Sequence, residues 1–300
     1  MFILTLITNP NKLKLDEQII NKALMAIERK KGNIDNFSFL ATDTACDIYF
    51  SNIEQNLAEQ NLTTKLAGIE VDFVIQPNSN NRKKKLLVSD MDSTIINQEC
   101  IDEIAAKLNL KEKVSAITER TMNGEIDFES ALLERVSLLK GISAEDLFSV
   151  YKQNISLMEG ARELVQTMKK HGSYCLLVSG GFTFFTEKIA RDVGFNNHYA
   201  NILELANNNL TGNVIKPILG KEAKLEILNK TAEELNLTKQ QVLAVGDGAN
   251  DLPMLQDAGL GVAYHAKPKV QQQTKAKINY TNLKSLLYIQ GYKEIEITNG

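Results

Sequence analysis

The chain has little cysteine, little histidine, no excess of either charge and no long apolar run, and each shortage closes off a class of protein. Its three cysteines, Cys46, Cys100 and Cys175, are scattered, odd in number and without C-x-x-C spacing. A disulfide framework and a zinc site are therefore not expected, and a reducing compartment fits. The three histidines, His171, His198 and His265, have no partner pattern, so surface or turn positions are expected for them rather than catalysis. With 34 basic and 37 acidic residues the net charge is −3, which offers no electrostatic footprint for nucleic acid. No apolar stretch approaches the roughly 20 residues that span a membrane. The opening Met1–Ile7 lacks the basic start of a secretory signal and reads as a strand. Neither internal repeats nor low-complexity tracts stand out. A soluble cytoplasmic protein without nucleic-acid or membrane partners is the expectation.

What is present is ordinary in bulk and specific in detail. Three hundred residues at 43% hydrophobic content suffice for a sizeable core in two domains, or in one domain with insertions. Three short apolar runs each stop abruptly on polar or glycine-rich chemistry. Leu86-Leu87-Val88-Ser89 ends on Asp90-Met91-Asp92-Ser93-Thr94, Tyr174–Val178 on Ser179-Gly180-Gly181, and Gln241–Val245 on Gly246-Asp247-Gly248-Ala249-Asn250-Asp251. Runs of this kind read as buried strands of a parallel sheet, whose ligands bind outside the carboxyl ends of the strands. If the three are neighbours, their tips form one site.

Around them the chain divides. Residues 1–82 read as a small α/β unit with its linker. Strands are expected at Phe2–Thr8, within Phe37–Phe50 and at Ile69–Ile75, and helices over Asp16–Lys31 and Asn52–Ala67. This βαββαβ-like pattern is similar to regulatory domains of the ACT type. It carries no catalytic cluster, so a regulatory or dimerising appendage is expected, which admits a homodimer. Pro77–Arg82 is the linker, and Lys83, Lys84 and Lys85 read as a solvated edge. Residues 83–300 form the second unit. Its segment 97–155 has only helical periodicity, with stops at Asn123-Gly124 and Lys140-Gly141, and reads as a helical cap over the strand tips. From Met158 onward β-α alternation returns, Glu159-Gly160 starting a helix, and Lys293–Gly300 is expected to fray.

The chemistry follows from the residue types. Asp90, Asp92 and Asp247 supply hard oxygen ligands that suit Mg²⁺ better than zinc. Ser179 and the N–H groups of Gly180 and Gly181 make an anion nest, and Lys224 brings a fixed positive charge to a phosphate. A carboxylate can serve as the nucleophile of phosphoryl transfer.

Asp90-Met91-Asp92-Ser93-Thr94, Ser179-Gly180-Gly181, Lys224 and Gly246–Asp251, in that order, resemble the four motifs of the haloacid dehalogenase superfamily, over residues 84–280. The resemblance implies a Rossmann-like α/β core with an inserted helical cap. It casts Asp90 as nucleophile and Asp92 as general acid and base. Mg²⁺ is held by the Asp90 carboxylate, the Asp92 carbonyl and Asp247, and the phosphoryl oxygens by Ser179, Gly180 and Lys224. Asn250 touches substrate or phosphate, and Asp251 orients Lys224 or a metal-bound water. In the cap, Glu99 accepts an ammonium group, Arg135 grips a carboxylate, and Met122 and Phe128 shield the pocket. Opposite charges at Glu99 and Arg135 fit a zwitterionic phospho-amino acid and fit a sugar phosphate poorly. The implied activity is hydrolysis of O-phospho-L-serine to L-serine and phosphate through an aspartyl-phosphate. The alternatives are a phosphotransferase, a phosphatase for another small phosphate ester, and a serine-sensing regulator with vestigial catalysis.

Overall fold

In the computed structural model the described residues are 1–29, 31–122 and 125–299, the side chains of Met122 and Lys221 excepted. Asn123-Gly124, expected as a helix stop, lies outside them.

The first unit is β1 (Phe2–Thr8), α1 (Glu17–Glu28), β2 (Asn33–Ala41), β3 (Ala45–Ser51), α2 (Gln55–Lys65) and β4 (Val71–Pro77). Asp16 starts α1 by accepting the Ile19 N–H, and Ile19, Ile20, Ala23, Ala26 and Ile27 turn one helix face inward. The strands form an antiparallel sheet in the order β2-β3-β1-β4. Leu4, Leu6, Cys46, Ile48 and Phe50 on one face pack with α1 and α2. Period-two alternation sends the intervening residues to the other face. There Thr5 and Asp47 are polar and fully buried.

The second unit opens with β5 (Leu86–Ser89). It continues through the cap helices α3 (Cys100–Lys107), α4 (Lys111–Met122), α5 (Phe128–Ser137) and α6 (Ala144–Asn154), then α7 (Ala161–Lys170), β6 (Tyr174–Phe182), α8 (Thr183–Val193), β7 (Asn197–Ala206), β8 (Asn209–Ile215) and α9 (Lys221–Glu234). It closes with β9 (Val242–Gly246), α10 (Leu252–Asp257), β10 (Leu260–Tyr264), α11 (Pro268–Gln272), β11 (Ala276–Ile278) and α12 (Ser285–Ile289). The sheet order is β11-β10-β9-β5-β6-β7-β8. All pairings are parallel except the β7–β8 hairpin. Every residue of β5 is buried, as a central parallel strand covered on both faces requires. Among the described residues no helix is long and apolar enough to cross a membrane.

The cap leaves and rejoins the core at one point, where Ile96 pairs with Leu157 and Met158 N–H donates to the Ile95 carbonyl. Asp127 and Ser143 start α5 and α6 by accepting the N–H of Ser130 and Asp146. A second tether holds the far end. Gly141 N–H donates to the Leu210 carbonyl, and Leu210 N–H to that of Ile142, both at 2.8 Å, which seats the cap on the β7–β8 hairpin.

Two expectations about the linker and the tail are corrected. The solvated edge expected at Lys83–Lys85 holds for Lys85, which is exposed, but fails at Lys84, which is buried and donates through Nζ to the Gln240 carbonyl at 2.7 Å, while the part-exposed Lys83 pairs with Glu296. Arg82, read as linker, is clamped between the units. It makes a two-pronged ion pair with Asp47, both contacts at 2.7 Å, and donates to the carbonyls of Tyr288 and Ile289. The tail is not frayed over 293–298. Lys293–Glu296 closes a short turn, Glu294 pairs with Lys284, and Thr298 N–H donates to Thr167 at 2.9 Å.

Candidate active site

Strand register alone explains why distant residues converge. Ser89, the last residue of β5, lies opposite Leu177 on one side and Val245 on the other. Asp90 is one residue past that line, and Ser179 and Asp247 are each two past it. Three strand tips therefore deliver their polar residues to one rim, outside the carboxyl ends of the sheet.

At the centre Asp90 is buried, and its Oδ1 accepts from Met91 N–H and from Lys224 Nζ, both at 2.8 Å. Lys224, carried on α9, is fully enclosed and also meets Asp251 Oδ1 at 2.6 Å. Burial pulls its pKa down, but Asp251 and Asp90 more than reverse this, and the net direction is up. Asp90, Asp247 and Asp251 bring carboxylate oxygens within 4.8 Å of one another. One lysine cannot neutralise three such groups. Burial, aided by the Asp90 charge, accordingly pushes Asp247 up to about 7 and Asp251 up to about 8. Oxygen donors with uncompensated negative charge are what a hard divalent cation requires, so the donor set fits one.

Asp92 faces elsewhere. Its Oδ1 accepts the Cys100 N–H at the start of α3, and its Oδ2 accepts from Ser179 Oγ at 3.1 Å. Burial and the neighbouring charges of Glu99 and Asp90 raise its pKa to about 7, against the pull of the Cys100 N–H. Ser93 donates to Glu99 at 2.7 Å, and Thr94 to Asp247 at 3.2 Å, so both hydroxyls orient carboxylates. The expected anion nest is narrower than its sequence suggests, because Gly181 N–H is already given to Ser179 Oγ at 2.8 Å.

Of the glycines flanking Asp247, Gly246 is dictated by close approach, while Gly248 faces the movable end of a side chain. A Cβ on Gly246 would lie 2.4 Å from the Asp251 carboxyl, and one on Gly248 would lie 2.2 Å from Asn250 Oδ1. Any side chain at Gly246 would push Asp251 off Lys224. Asn250 itself is half-buried beside Gly248.

From the cap, Phe128 reaches the rim. Its ring would touch a Cβ on Gly180 at 3.4 Å and one on Gly220 at 3.7 Å, so it bridges two core loops. Glu99 keeps part of its side chain open to solvent, yet burial of its carboxyl, with the charges of Asp90 and Asp102, raises its pKa against the pull of the Ser93 hydroxyl. Arg135 is half-buried, and its guanidinium donates to the Ala131 carbonyl and to Thr118. Burial lowers its pKa while Asp102 and Glu99 raise it, which places Arg135 in the electrostatic field of Glu99 without an ion pair among the described residues. The side chain of Met122 lies outside the described residues.

Sequence reading missed Asn201. It is 1% exposed and donates to the Gly180 carbonyl at 2.9 Å, while its Oδ1 accepts the Leu219 N–H at 2.7 Å. It thus joins the loop after β6 to the segment that launches α9 and Lys224. An asparagine in a hairpin strand gives no sequence signal of such a role. Lys267, in the segment 265–268 to which the sequence assigns no chemical role, also approaches the site. Its N–H approaches the Asp247 carbonyl at 3.4 Å, and its charge is felt by Glu99.

This sheet, cap and acidic rim define a hydrolase of the phosphoryl-transfer kind. The haloacid dehalogenase-like hydrolase family model matches residues 87–256, and the chain belongs to that family. Within it, the chain is 47% identical over 208 residues to a phosphoserine phosphatase of Polaromonas sp., covering 68% of this chain and 88% of that protein. Two crystal structures resemble the whole chain. A HAD family hydrolase of Salmonella enterica serovar Typhi superposes with a TM-score of 0.84 at 30% identity, covering 96% of this chain and 98% of that one. A probable phosphoserine phosphatase of Vibrio cholerae gives 0.79 at 31% identity, covering 98% and 87%.

Proposed function

We propose that this chain is a Mg²⁺-dependent phosphatase that hydrolyses O-phospho-L-serine to L-serine and phosphate. The observation that carries the reading is the meeting of Asp90, Asp92, Ser179, Lys224 and Asp247 at three adjoining strand tips, beneath a cap that offers Glu99 and Arg135. The names of the relatives support the same substrate.

Asp90 Oδ1 is occupied by Met91 and Lys224, which leaves Oδ2 to attack phosphorus. As the new oxygen–phosphorus bond forms, the bond to the serine oxygen breaks. Asp92, protonated in part near neutrality, gives its proton to that oxygen. Asp92 then takes a proton from water as the water attacks the aspartyl-phosphate, which frees phosphate and restores Asp90. Lys224, Ser179 Oγ and the Gly180 N–H hold the phosphoryl oxygens, and Asn250 braces the same end. Asp90, the Asp92 carbonyl and Asp247 would hold Mg²⁺, with Asp251 keeping Lys224 in place. When bound, the ion supplies positive charge against the phosphate and its transition state. Glu99 faces the substrate ammonium and Arg135 its carboxylate, and Phe128 closes the pocket to water.

The test is phosphate release from a panel of phospho-amino acids and sugar phosphates, with Mg²⁺ and then with chelator. Phosphoserine is expected to lead and chelator to stop turnover; a sugar phosphate in first place would overturn the reading. Asp90→Asn should lower kcat by at least about 10³-fold with an unchanged circular dichroism spectrum.

A further inference from the structure

The first unit touches the second through a buried carboxylate with no role so far. Asp72, on β4, is 3% exposed and accepts four hydrogen bonds from the segment after β11. Its Oδ1 takes the Asn279 N–H at 2.7 Å. Its Oδ2 takes the N–H of Tyr280 and of Thr281, each at 3.0 Å, and the Thr281 hydroxyl at 2.7 Å. Because the Thr281 proton goes to Asp72, the 2.6 Å contact between Thr281 and Ser285 is donated by Ser285. Consecutive N–H groups converging on one carboxylate set the backbone of this turn.

The turn holds a second one. The Thr281 carbonyl is 2.8 Å from His265 Nε2, and since a carbonyl only accepts, His265 carries its proton there. His265 has φ of +44°, a left-handed conformation that a non-glycine residue keeps only when its surroundings impose it. Its own N–H is tied to the Ile278 carbonyl at 2.8 Å. Two residues on, Lys267 N–H reaches the carbonyl of Asp247. A continuous path of bonds thus runs from the first sheet to the acidic cluster.

We propose that Asp72 is a positioning residue for the active site. Through Thr281 and His265 it sets the turn that carries Lys267 against Asp247, so the small domain is a structural part of the site. The inference rests on reading Asp247 as a ligand of Mg²⁺. An asparagine at position 72 has one acceptor oxygen and turns its amide NH2, a donor, toward at least one of the N–H groups, so the turn must shift.

The experiment compares full-length Asp72→Asn with Gln76→Ala. Gln76 gives an interdomain bond of like burial to the Ile289 carbonyl, outside the path. Mg²⁺ affinity is measured by calorimetry, and kcat and KM for phosphoserine below the melting temperature. Asp72→Asn is expected to weaken Mg²⁺ binding about 5-fold and to lower kcat about as much with KM little moved. Gln76→Ala is expected to keep both while losing thermal stability. Wild-type Mg²⁺ affinity in Asp72→Asn, or equal losses in the two variants, overturns the proposal. His265→Ala reads the same path without touching the domain contact. It should reproduce the loss, and in the double variant the two losses should not multiply; wild-type affinity in His265→Ala, or multiplied losses, counts against the path. Wild type that binds Mg²⁺ but leaves phosphoserine intact would refute the substrate while the affinity comparison still decides the role of Asp72.

Discussion

At the scale of single residues, the site is governed by how few positive groups face its carboxylates. Asp247, raised to about 7, must lose its proton before it can ligate a cation. Binding therefore competes with protonation below pH 7 and is free of it above. Mg²⁺ affinity should fall by up to about tenfold per pH unit below 7 and level off above it. Calorimetry in two buffers of different ionisation enthalpy should register proton release near pH 6 and little at pH 8.5. Arg135 makes a second case. Among the described residues its guanidinium meets a backbone carbonyl and the Thr118 hydroxyl, so donors remain for a substrate carboxylate. Arg135→Ala should cut kcat/KM for phosphoserine by about 10–100-fold and leave phosphoethanolamine, which lacks the carboxylate, nearly unaffected. Equal losses on both substrates would remove Arg135 from substrate recognition.

At the scale of elements, strand β5 organises the molecule. Its apolar residues were legible as a buried strand, and its register with β6 and β9 brings the motifs together. The lysine before it was misread because composition sees a charge and not its surroundings. Lys84 lies over the edge where β5 and β9 begin, and burial lowers its pKa to about 8 from an ordinary 10.5. Below pH 8 the amine is charged in both folded and unfolded chains. Between pH 8 and 10.5 the folded chain gives up a proton that the unfolded chain keeps, so stability rises with pH across that window. The stability difference between wild type and Lys84→Met should shift toward wild type by up to about 3 kcal/mol over this range. Urea melts at pH 7.5 and 10 would measure it, and parallel pH profiles would show the amine to be unperturbed.

At the scale of the whole molecule, the two sheets share a core rather than a tether. Ile7, Leu40, Ala41, Ala45 and Val74 of the first unit pack into the same apolar cluster as Leu283, Leu286, Leu287 and Tyr288 of the second. We propose the boundary near residue 82 as one of chain order and topology. Arg82 is the polar centre of the junction, with its side chain 11% exposed and that of Asp47 1%. Removing one partner of a buried pair strands the other charge. Asp47→Ala should cost about 3–5 kcal/mol in chemical denaturation, and Asp47→Ala with Arg82→Met clearly less than that. A loss under about 1 kcal/mol would mean that the junction is hydrated and carries little of the stability.

The sequence by itself determined what local chemistry dictates. Apolar runs set the strands, and the D-x-D, Ser-Gly-Gly and Gly-Asp-Gly strings mark strand tips, because spacing along the chain governs both. Only the tertiary structure decided which faces meet. That Arg82 is clamped at the junction, that Lys84 is buried, that Asn201 joins two loops, and that Asp72 holds the turn behind Asp247 depend on contacts between residues 18 to more than 200 positions apart. No periodicity encodes such pairings, since a buried polar group is selected by the partner it finds and not by its neighbours in sequence.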